Sequence, residues 1–284
     1  HLLSLMDMLE VAGRDAVAMA CDTYYAGNMP AFVLDHLSVE KLDPERHIKV
    51  IDGVIDGCLK AGCRLIGGET AEEPGTYRYP WRFNIDVTMI GFPSPELSFA
   101  QVEPGQMVYG WHSDFPGANG FSLLRRAFKL DDSPQKVRQR LERYWPELGS
   151  TLAEALLGPT PIWVDAIEDY RKSGVIFSGH AHITGGGMVE NIPRILPSNL
   201  KVVIDRRQWR RPAIFRLAQD LGNVTGAEMD RTFNQGVMVV SLVSQNGGFG
   251  AIGLGDRRVS LIGRVNRRLG YEPQVEFVDK YNGE

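Results

Sequence analysis

Cysteine is scarce: 284 residues hold three, Cys21, Cys58 and Cys63. Their spacings match neither a disulfide framework nor a C-x-x-C metal knuckle, which excludes a stapled secreted fold and a zinc knuckle. They read as small apolar core residues in a reducing compartment, the cytoplasm. Long apolar runs are missing as well. None approaches the ~20 residues a membrane span requires, and no signal-peptide pattern opens the chain. Basic charge is not in excess, because 31 Lys and Arg stand against 35 Asp and Glu for a net charge of −4. That balance offers no broad field to nucleic acid or to an anionic membrane, so neither is expected as a partner. A phosphate-bearing ligand must then be held by a local site. No repeat of solenoid period is visible. The first residue is His1, at the start of an amphipathic segment, as expected of a chain whose upstream residues are missing.

What is present is an ordinary globular balance, 43% hydrophobic and 23% charged, at a length that suggests two domains or one large one. A first helix is expected over Leu2 to Ala20, then a buried strand at "AFVLDHL", Ala31 to Leu37. Asp43 followed by Pro44 predicts a helix start, with Ile48, Ile51, Ile55, Cys58 and Leu59 on the buried face and Gly62 at the C-cap. "CRLIGG" reads as a strand ending in glycines, and "RFNIDVTMIGF" alternates as a half-buried strand. The proline-marked stretch Pro93 to Pro104 is a boundary candidate, giving domains at 1–98 and 105–284. Beyond it lie strands at "QMVYGW", "KVVI", "GVMVVSLV" and "RRVSLIGRV" and helices at "FSLLRRAF", "SPQKVRQRLERYW" and "PAIFRLAQDLG". Strands and helices mix without strict βαβ alternation, so the fold class is α+β, α/β in two lobes.

Five stretches could carry chemistry. In "GGETAEEPGTY", Glu69, Thr70, Glu72 and Glu73 cluster after an apolar strand, as Mg²⁺ ligands or as a solvated acidic turn. Asp22 follows an apolar helix; a carboxylate at a helix C-terminus opposes the dipole, though it can simply point into water. Asp35 sits inside an apolar strand, where a carboxylate needs a partner or a function. At Asn119-Gly120 a glycine-rich turn leads into a helix, an anion site or a plain Asn N-cap. The stretch "HAHITGGGMVENIPRILP" is the most pointed. Strand, triple glycine and helix start form the geometry in which amides cradle phosphate. Tight helix-on-sheet packing with His182 as a core residue explains the same letters.

Together these stretches resemble one family, phosphoribosylformylglycinamidine cyclo-ligase, also called aminoimidazole ribonucleotide synthetase. The resemblance rests on "GCLKAGCRLIGGETAEEPGTY", "ANGFSLLRR", "LLGPTPIWV", "AHITGGGMVENIPRILP" and "GNVTGAEMDRTFNQGVMVV", in family order from about Gly13 to Val265. The glycine stretch and "EMDRTFNQG" separate this family from selenophosphate synthetase, thiamine-monophosphate kinase and the hydrogenase maturation protein, which share its fold. The resemblance implies two α/β domains, the N-terminal halves of two subunits pairing strands into a dimeric β-barrel. It implies ATP and Mg²⁺ as cofactors, a small nucleotide substrate, and ring closure of formylglycinamidine ribonucleotide to aminoimidazole ribonucleotide in purine synthesis. Carried over residue by residue, Asp22 and Glu69 are metal ligands, and Thr70, Glu72 and Gly185, Gly186 and Gly187 contact ATP. His182, Thr184 and Glu69 are catalytic, and Ser113, Asn119, Gly120, Thr232 and Asn234 lie near substrate.

Departures from the family pattern are local. The family's Asp-Gly-Val-Gly-Thr-Lys motif falls upstream of His1, and Cys21 stands where an Asn precedes the Asp. Glu73 replaces the usual Met. The loop Ser-Ser-Gly-x-His-Ser-Asn-Gly reads "SDFPGANG", with Phe115, Gly117 and Ala118 in place of Gly, His and Ser. Two further readings therefore stand beside the enzyme: a nucleotide-binding paralogue on the same dimer scaffold, and an ATP-dependent enzyme acting on another amide or formamide.

Overall fold

A computed structural model describes residues 1–245 and 258–282. Cα clustering separates two compact units, His1–Leu97 with Asp131–Asp165, and Ser98–Leu130 with Ala166–Glu284. The break at Leu97 falls inside the proline-marked stretch. The segment 131–165, which the sequence reading assigns to the second domain, clusters with the first unit. It does so through specific bonds: Thr160 N–H donates to the Asp15 carboxylate at 2.7 Å, and Arg138 donates to the Leu5 carbonyl.

In chain order the first unit contains α1 (Leu2–Leu5), α2 (Leu9–Ala20), α3 (Asp22–Tyr25), β1 (Asn28–Val39), α4 (Pro44–Lys60), β2 (Arg64–Glu72) and β3 (Phe83–Pro93). The second contributes β4 (Met107–His112) and α5 (Phe121–Ala127). The first resumes with α6 (Pro134–Glu142), β5 (Tyr144–Trp145), β6 (Ser150–Thr151) and α7 (Leu152–Leu156). After α8 (Val164–Lys172) come β7 (Phe177–His182), α9 (Gly187–Asn191), β8 (Leu200–Asp205), α10 (Ala213–Gly222), α11 (Gly226–Thr232), β9 (Val237–Val243), β10 (Val259–Arg267) and β11 (Val275–Val278).

The first unit packs α2 and α4 on a three-stranded sheet of order β2-β1-β3, with β1 parallel to β2 and antiparallel to β3. The predicted single helix over Leu2 to Ala20 is two, interrupted at Asp7, whose φ of 57° no helix accepts. Asp43 caps α4 as expected, accepting from Arg46 N–H. The buried face of α4 differs in part from the expectation: Cys58 is buried as read and Ile51 packs against the core. The face is Val50, Val54 and Cys58 with Gly53 and Gly57, while Ile48, Ile55 and Leu59 are exposed. Backbone approach decides this: a Cβ on Gly53 would lie 2.0 Å from the Glu10 carbonyl oxygen, and one on Gly13 would lie 2.0 Å from that of Val50. The glycine faces allow α2 and α4 to touch backbone to backbone, and the larger apolar stripe turns outward. Strand β1 is longer than read and buried on one side only. Val33, Leu37 and Val39 face the helices, whereas Phe32, Leu34, Ile66, Ile90 and Phe92 form an exposed apolar sheet face.

The second unit is built on a six-stranded sheet of order β11-β8-β10-β4-β9-β7. Neighbours are antiparallel except β11 and β8. Val108, Ala181, Ile183, Val240, Leu242 and Ile262 pack one face against Met188, Ile192 and Trp209. The other face buries a polar chain. The Trp111 indole donates to Ser241 Oγ at 2.9 Å, which stands 2.7 Å from His180 Nδ1. Burial pushes the His180 pKa down to about 3, so the ring is neutral. An unfolded chain restores a value near 6.5 and binds the extra proton. Stability from this site is complete above that pH and declines as pH falls toward 3. Asp15, raised to about 6 by burial, titrates in the opposite sense. The measurement is therefore a difference: between pH 7 and pH 5, urea unfolding of wild type should lose about 2 kcal/mol more than unfolding of His180→Leu. Equal losses would mean that His180 is not held neutral.

Candidate functional site

Strands β4 and β7 both run antiparallel to β9. Their C-terminal ends and the N-terminal end of β9 therefore lie at one edge of the sheet. Two of the stretches that could carry chemistry emerge there, the loop Ser113–Gly120 and the loop Thr184–Gly187, together with the turn Arg231–Gly236 that the family resemblance singles out.

The turn clamps the first loop. Asn234 is buried; its amide donates to the carbonyls of Phe115 and Pro116, each at 3.1 Å, while its Oδ1 accepts from Gly236 N–H at 2.8 Å. Ser113 Oγ closes the loop from inside, accepting from Phe115 N–H at 3.1 Å. Gly120 takes φ +74°, and a Cβ there would lie 2.3 Å from the Phe233 ring. The N-cap of α5 is this glycine and not Asn119, and no side chain caps it. Asn234, expected near substrate, thus has its amide committed to loop architecture. Thr232 Oγ1 donates to Glu228 at 3.2 Å.

The triple glycine serves three separate needs. Gly187 must be glycine for packing, because a Cβ would lie 1.8 Å from the Asp230 carbonyl oxygen. Gly186 takes φ +96° at the N-cap of α9, which L side chains rarely adopt. A Cβ on Gly185 would meet nothing within 4 Å, and its φ lies outside the left-handed region. Gly185 is the member of the three that leaves backbone open to a ligand. Asn191 holds the loop, donating to the carbonyls of Gly185 at 3.1 Å and Gly187 at 2.8 Å. His182 is buried at the end of β7. It alternates with Ala181 and Ile183, so it shares the sheet face of His180.

The first unit disposes its motif differently. Asp22 follows α2, whose C-cap is Cys21, as read, and also opens the short α3. Glu69, Thr70 and Glu72 lie within β2, which runs through the glycines to Glu72 and is exposed over most of its length. Glu72 accepts from Leu42 N–H at 2.6 Å, and Glu73 accepts from the Ser38 hydroxyl at 2.5 Å, so both brace the surrounding loops. Glu69 registers with His36, which registers with Asp86 on the far side, giving a row of three polar residues on the outward face. Thr23, next to Asp22, abuts Gly91, five residues along β3 from Asp86, or roughly 17 Å. The expected metal pair is thus separated within one chain, and no group of three metal-ligating side chains occurs among the described residues. Asp35 finds its explanation against Gly68: its carboxylate fills the space a Cβ at 68 would need, 2.2 Å from that position. Partial burial raises its pKa.

The motifs that meet at this edge are those of one family. The family profile for the AIR synthase related protein N-terminal domain matches residues 2–92, and that for its C-terminal domain matches 103–276. The chain belongs to this family. A phosphoribosylformylglycinamidine cyclo-ligase of Desulfitobacterium hafniense is 44% identical over 241 residues, 84% of this chain and 68% of the relative. Among solved structures, thiamine monophosphate kinase from Aquifex aeolicus shares the fold with a TM-score of 0.61 at 18% identity, over 96% of this chain and 81% of that one. HypE from E. coli does so with 0.62 at 18%, over 95% and 76%. The two-domain α/β reading holds. No helix among the described residues is long and apolar enough to cross a membrane.

Within this AIR synthase related chain, sequence reading missed one feature. A pocket of ≈ 360 Å³ opens at the same sheet edge, lined among others by His112, Asp114, Trp209, Arg210 and Ser260. Ser113 and Gly236 of the recognised motifs line it as well, but His112, Trp209, Arg210 and Ser260 come from other strand ends and carry no motif. A direct test of the edge is the clamp. Asn234→Asp keeps the acceptor for Gly236 but loses both donors and turns a carboxylate toward two carbonyls. The Phe115 carbonyl keeps Ser113 Oγ as a donor at 3.0 Å, whereas that of Pro116 is orphaned; a buried polar group left unpaired costs about 1–3 kcal/mol, so urea unfolding should show a loss of about 2 kcal/mol. A loss below about 1 kcal/mol would mean the loop does not depend on this amide.

Proposed function

We propose that this protein catalyses the ATP-dependent closure of formylglycinamidine ribonucleotide to aminoimidazole ribonucleotide, with release of ADP and phosphate, in cytoplasmic purine biosynthesis. The observation that carries the reading is the convergence of the family's motifs on one sheet edge, with Gly185 left open beside them, in a chain 44% identical to a cyclo-ligase. HypE, of the same fold, has been solved with ATP, which supports ATP here.

In this scheme ATP phosphorylates the formyl oxygen, and an amidine nitrogen then closes the ring as phosphate leaves. The protein's work is positioning and charge neutralisation. Backbone amides of Gly185 and Gly186 meet phosphate oxygens, while Gly187 N–H closes the loop on the Thr184 carbonyl at 2.9 Å, with the Thr184 hydroxyl and the His182 imidazole at the same strand end. Asn119, Gly120 and Thr232 border the substrate, which Ser113 and Asn234 serve by holding the loop. Thr70 and Glu72 belong to the ATP-binding strand of the first unit. Mg²⁺ needs only one or two carboxylates besides phosphate oxygens and water, so either Asp22 or Glu69 alone is an adequate anchor. The exposed apolar face of Phe32, Leu34, Ile66, Ile90 and Phe92 supports pairing with a second copy through strands of the first unit, since patches of this kind mark interfaces. Each copy keeps the two units of the fold, His1–Leu97 with Asp131–Asp165 and Ser98–Leu130 with Ala166–Glu284.

Gly185→Ala separates function from fold. Nothing crowds a Cβ at 185, so stability should be unchanged, while KM for ATP in a coupled ring-closure assay of the full-length protein should rise tenfold or more, about 1.4 kcal/mol of lost binding. Unchanged kinetics would remove the loop from the nucleotide site. No aminoimidazole ribonucleotide from wild type with verified substrate would overturn the activity itself.

A further inference from the structure

The turn that carries Asn234 contains a backbone conformation that has to be enforced. Gln235 is buried and takes φ 53°, a left-handed geometry that such a residue keeps only where its surroundings over-determine it. Three bonds do so. Arg211 Nε donates to Gln235 Oε1 at 2.8 Å, the Trp209 indole donates to the Gln235 carbonyl at 2.9 Å, and Gln235 Nε2 donates to Asp230 Oδ1 at 3.4 Å. Asp230 in turn accepts from Arg206, and its carbonyl oxygen lies 1.8 Å from where a Cβ on Gly187 would stand. The glycine loop and the Asn234 clamp are thus both braced by one segment, Arg206–Arg211.

The side chains of that segment converge on a single ring. Tyr281, three residues past the end of β11, is buried. The guanidinium centres of Arg206 and Arg211 each stand over its ring, 5.2 Å from the centroid. Trp209 meets the same ring edge-on at 5.4 Å. Two cations drawn together repel each other, and the negative face of an aromatic ring attracts both. An aliphatic side chain would fill the space and attract neither. Arg206 also stands over Phe277 at 4.3 Å, so loss of the Tyr281 ring bears most on Arg211, the donor to Gln235. The neighbours of Tyr281 pin it in place. Asp279 pairs with Arg207 at 3.2 Å, and the Asn282 amide donates to the Arg207 carbonyl at 2.5 Å.

We propose that Tyr281 is a positioning residue for substrate binding. Through Arg211 and Gln235 its ring fixes the turn 231–236, and through Asn234 the loop 113–120, before substrate arrives. A turn already ordered saves the cost of ordering it on binding, so the contribution is to affinity and not to the chemical step. The kinetic consequence rests on the ring-closing reading of this edge; the effect on the turn does not.

Hydrogen–deuterium exchange and steady-state kinetics of the full-length protein separate Tyr281→Leu from Tyr281→Phe. In Tyr281→Leu, exchange of 231–236 and 113–120 should rise tenfold or more, with β4 and β9 protected as in wild type. KM for the ribonucleotide should rise at least fivefold, while kcat changes less than twofold. Tyr281→Phe keeps the ring and should restore wild-type exchange and KM. If Tyr281→Leu does not fold, Arg211→Lys supplies the comparison, since it keeps a cation but loses the planar fork that serves Gln235 and Gln219, and it should loosen the same two segments. Unchanged exchange in the substituted proteins, an equal rise in Tyr281→Leu and Tyr281→Phe, or a rise spread over β4 and β9 would overturn the positioning role, as would a fall in kcat at constant KM. A wild type that makes no product from verified substrate would overturn the ring-closing reading, and the exchange comparison would still decide whether Tyr281 holds the turn.

Discussion

Much of the second unit's functional edge depends on one buried amide. Asn234 donates to two consecutive carbonyls of the Phe115–Pro116 loop and accepts from Gly236 N–H two residues on. An amide is the side chain that can do both at once, since a carboxylate has no donor and an aliphatic group has neither. Because the bonds are buried, breaking them leaves carbonyls that water does not reach. The turn before β9 and the loop after β4 therefore move as one piece, and Phe233 against Gly120 reinforces the same junction. The altered letters of "SDFPGANG" do not loosen it, because Asn234 reads backbone carbonyls and is indifferent to the side chains at 115 and 116.

The arrangement also explains why the strand order matters to function. Loops far apart in sequence reach one edge only because β9 lies between β4 and β7 and runs against both. Backbone amides presented by a rigid strand end lose little entropy on meeting an anion, unlike those of a mobile loop. Asn191 adds to that rigidity by holding carbonyls of the glycine loop; Gly187 N–H closes the turn on Thr184, which leaves those of Gly185 and Gly186 for a ligand. The first unit contributes carboxylates on an exposed strand and an apolar sheet face, a combination suited to a role completed by a second surface.

How much was legible in the sequence varies with the physics of each residue. The alternation of Phe83, Ile85, Val87 and Met89 gave β3 because period and burial coincide. The N-cap Asp43 was legible because capping is local. The buried face of α4 was not: counting large apolar side chains favours Ile48, Ile55 and Leu59, while the decisive term is backbone contact at Gly13 and Gly53, a partner property that one helix's pattern does not contain. Likewise the three glycines after Thr184 are identical letters with different reasons, and only the neighbours of each Cβ position separate them. The pocket of Arg210 and His112 was legible only at Ser113 and Gly236, since no contiguous stretch contains the rest. Asp35 was rightly singled out as unusual, but its partner, the glycine at 68, is visible only once β1 and β2 are in register.

The central claim is that the loops 113–120 and 184–187 and the turn 231–236 form one nucleotide-binding edge. Hydrogen–deuterium exchange of the full-length protein with and without a non-hydrolysable ATP analogue and Mg²⁺ tests it most directly. The account predicts that all three segments gain protection together, at the same analogue concentration. Saturating nucleotide that leaves 184–187 unprotected, or that protects it without the other two, would contradict it.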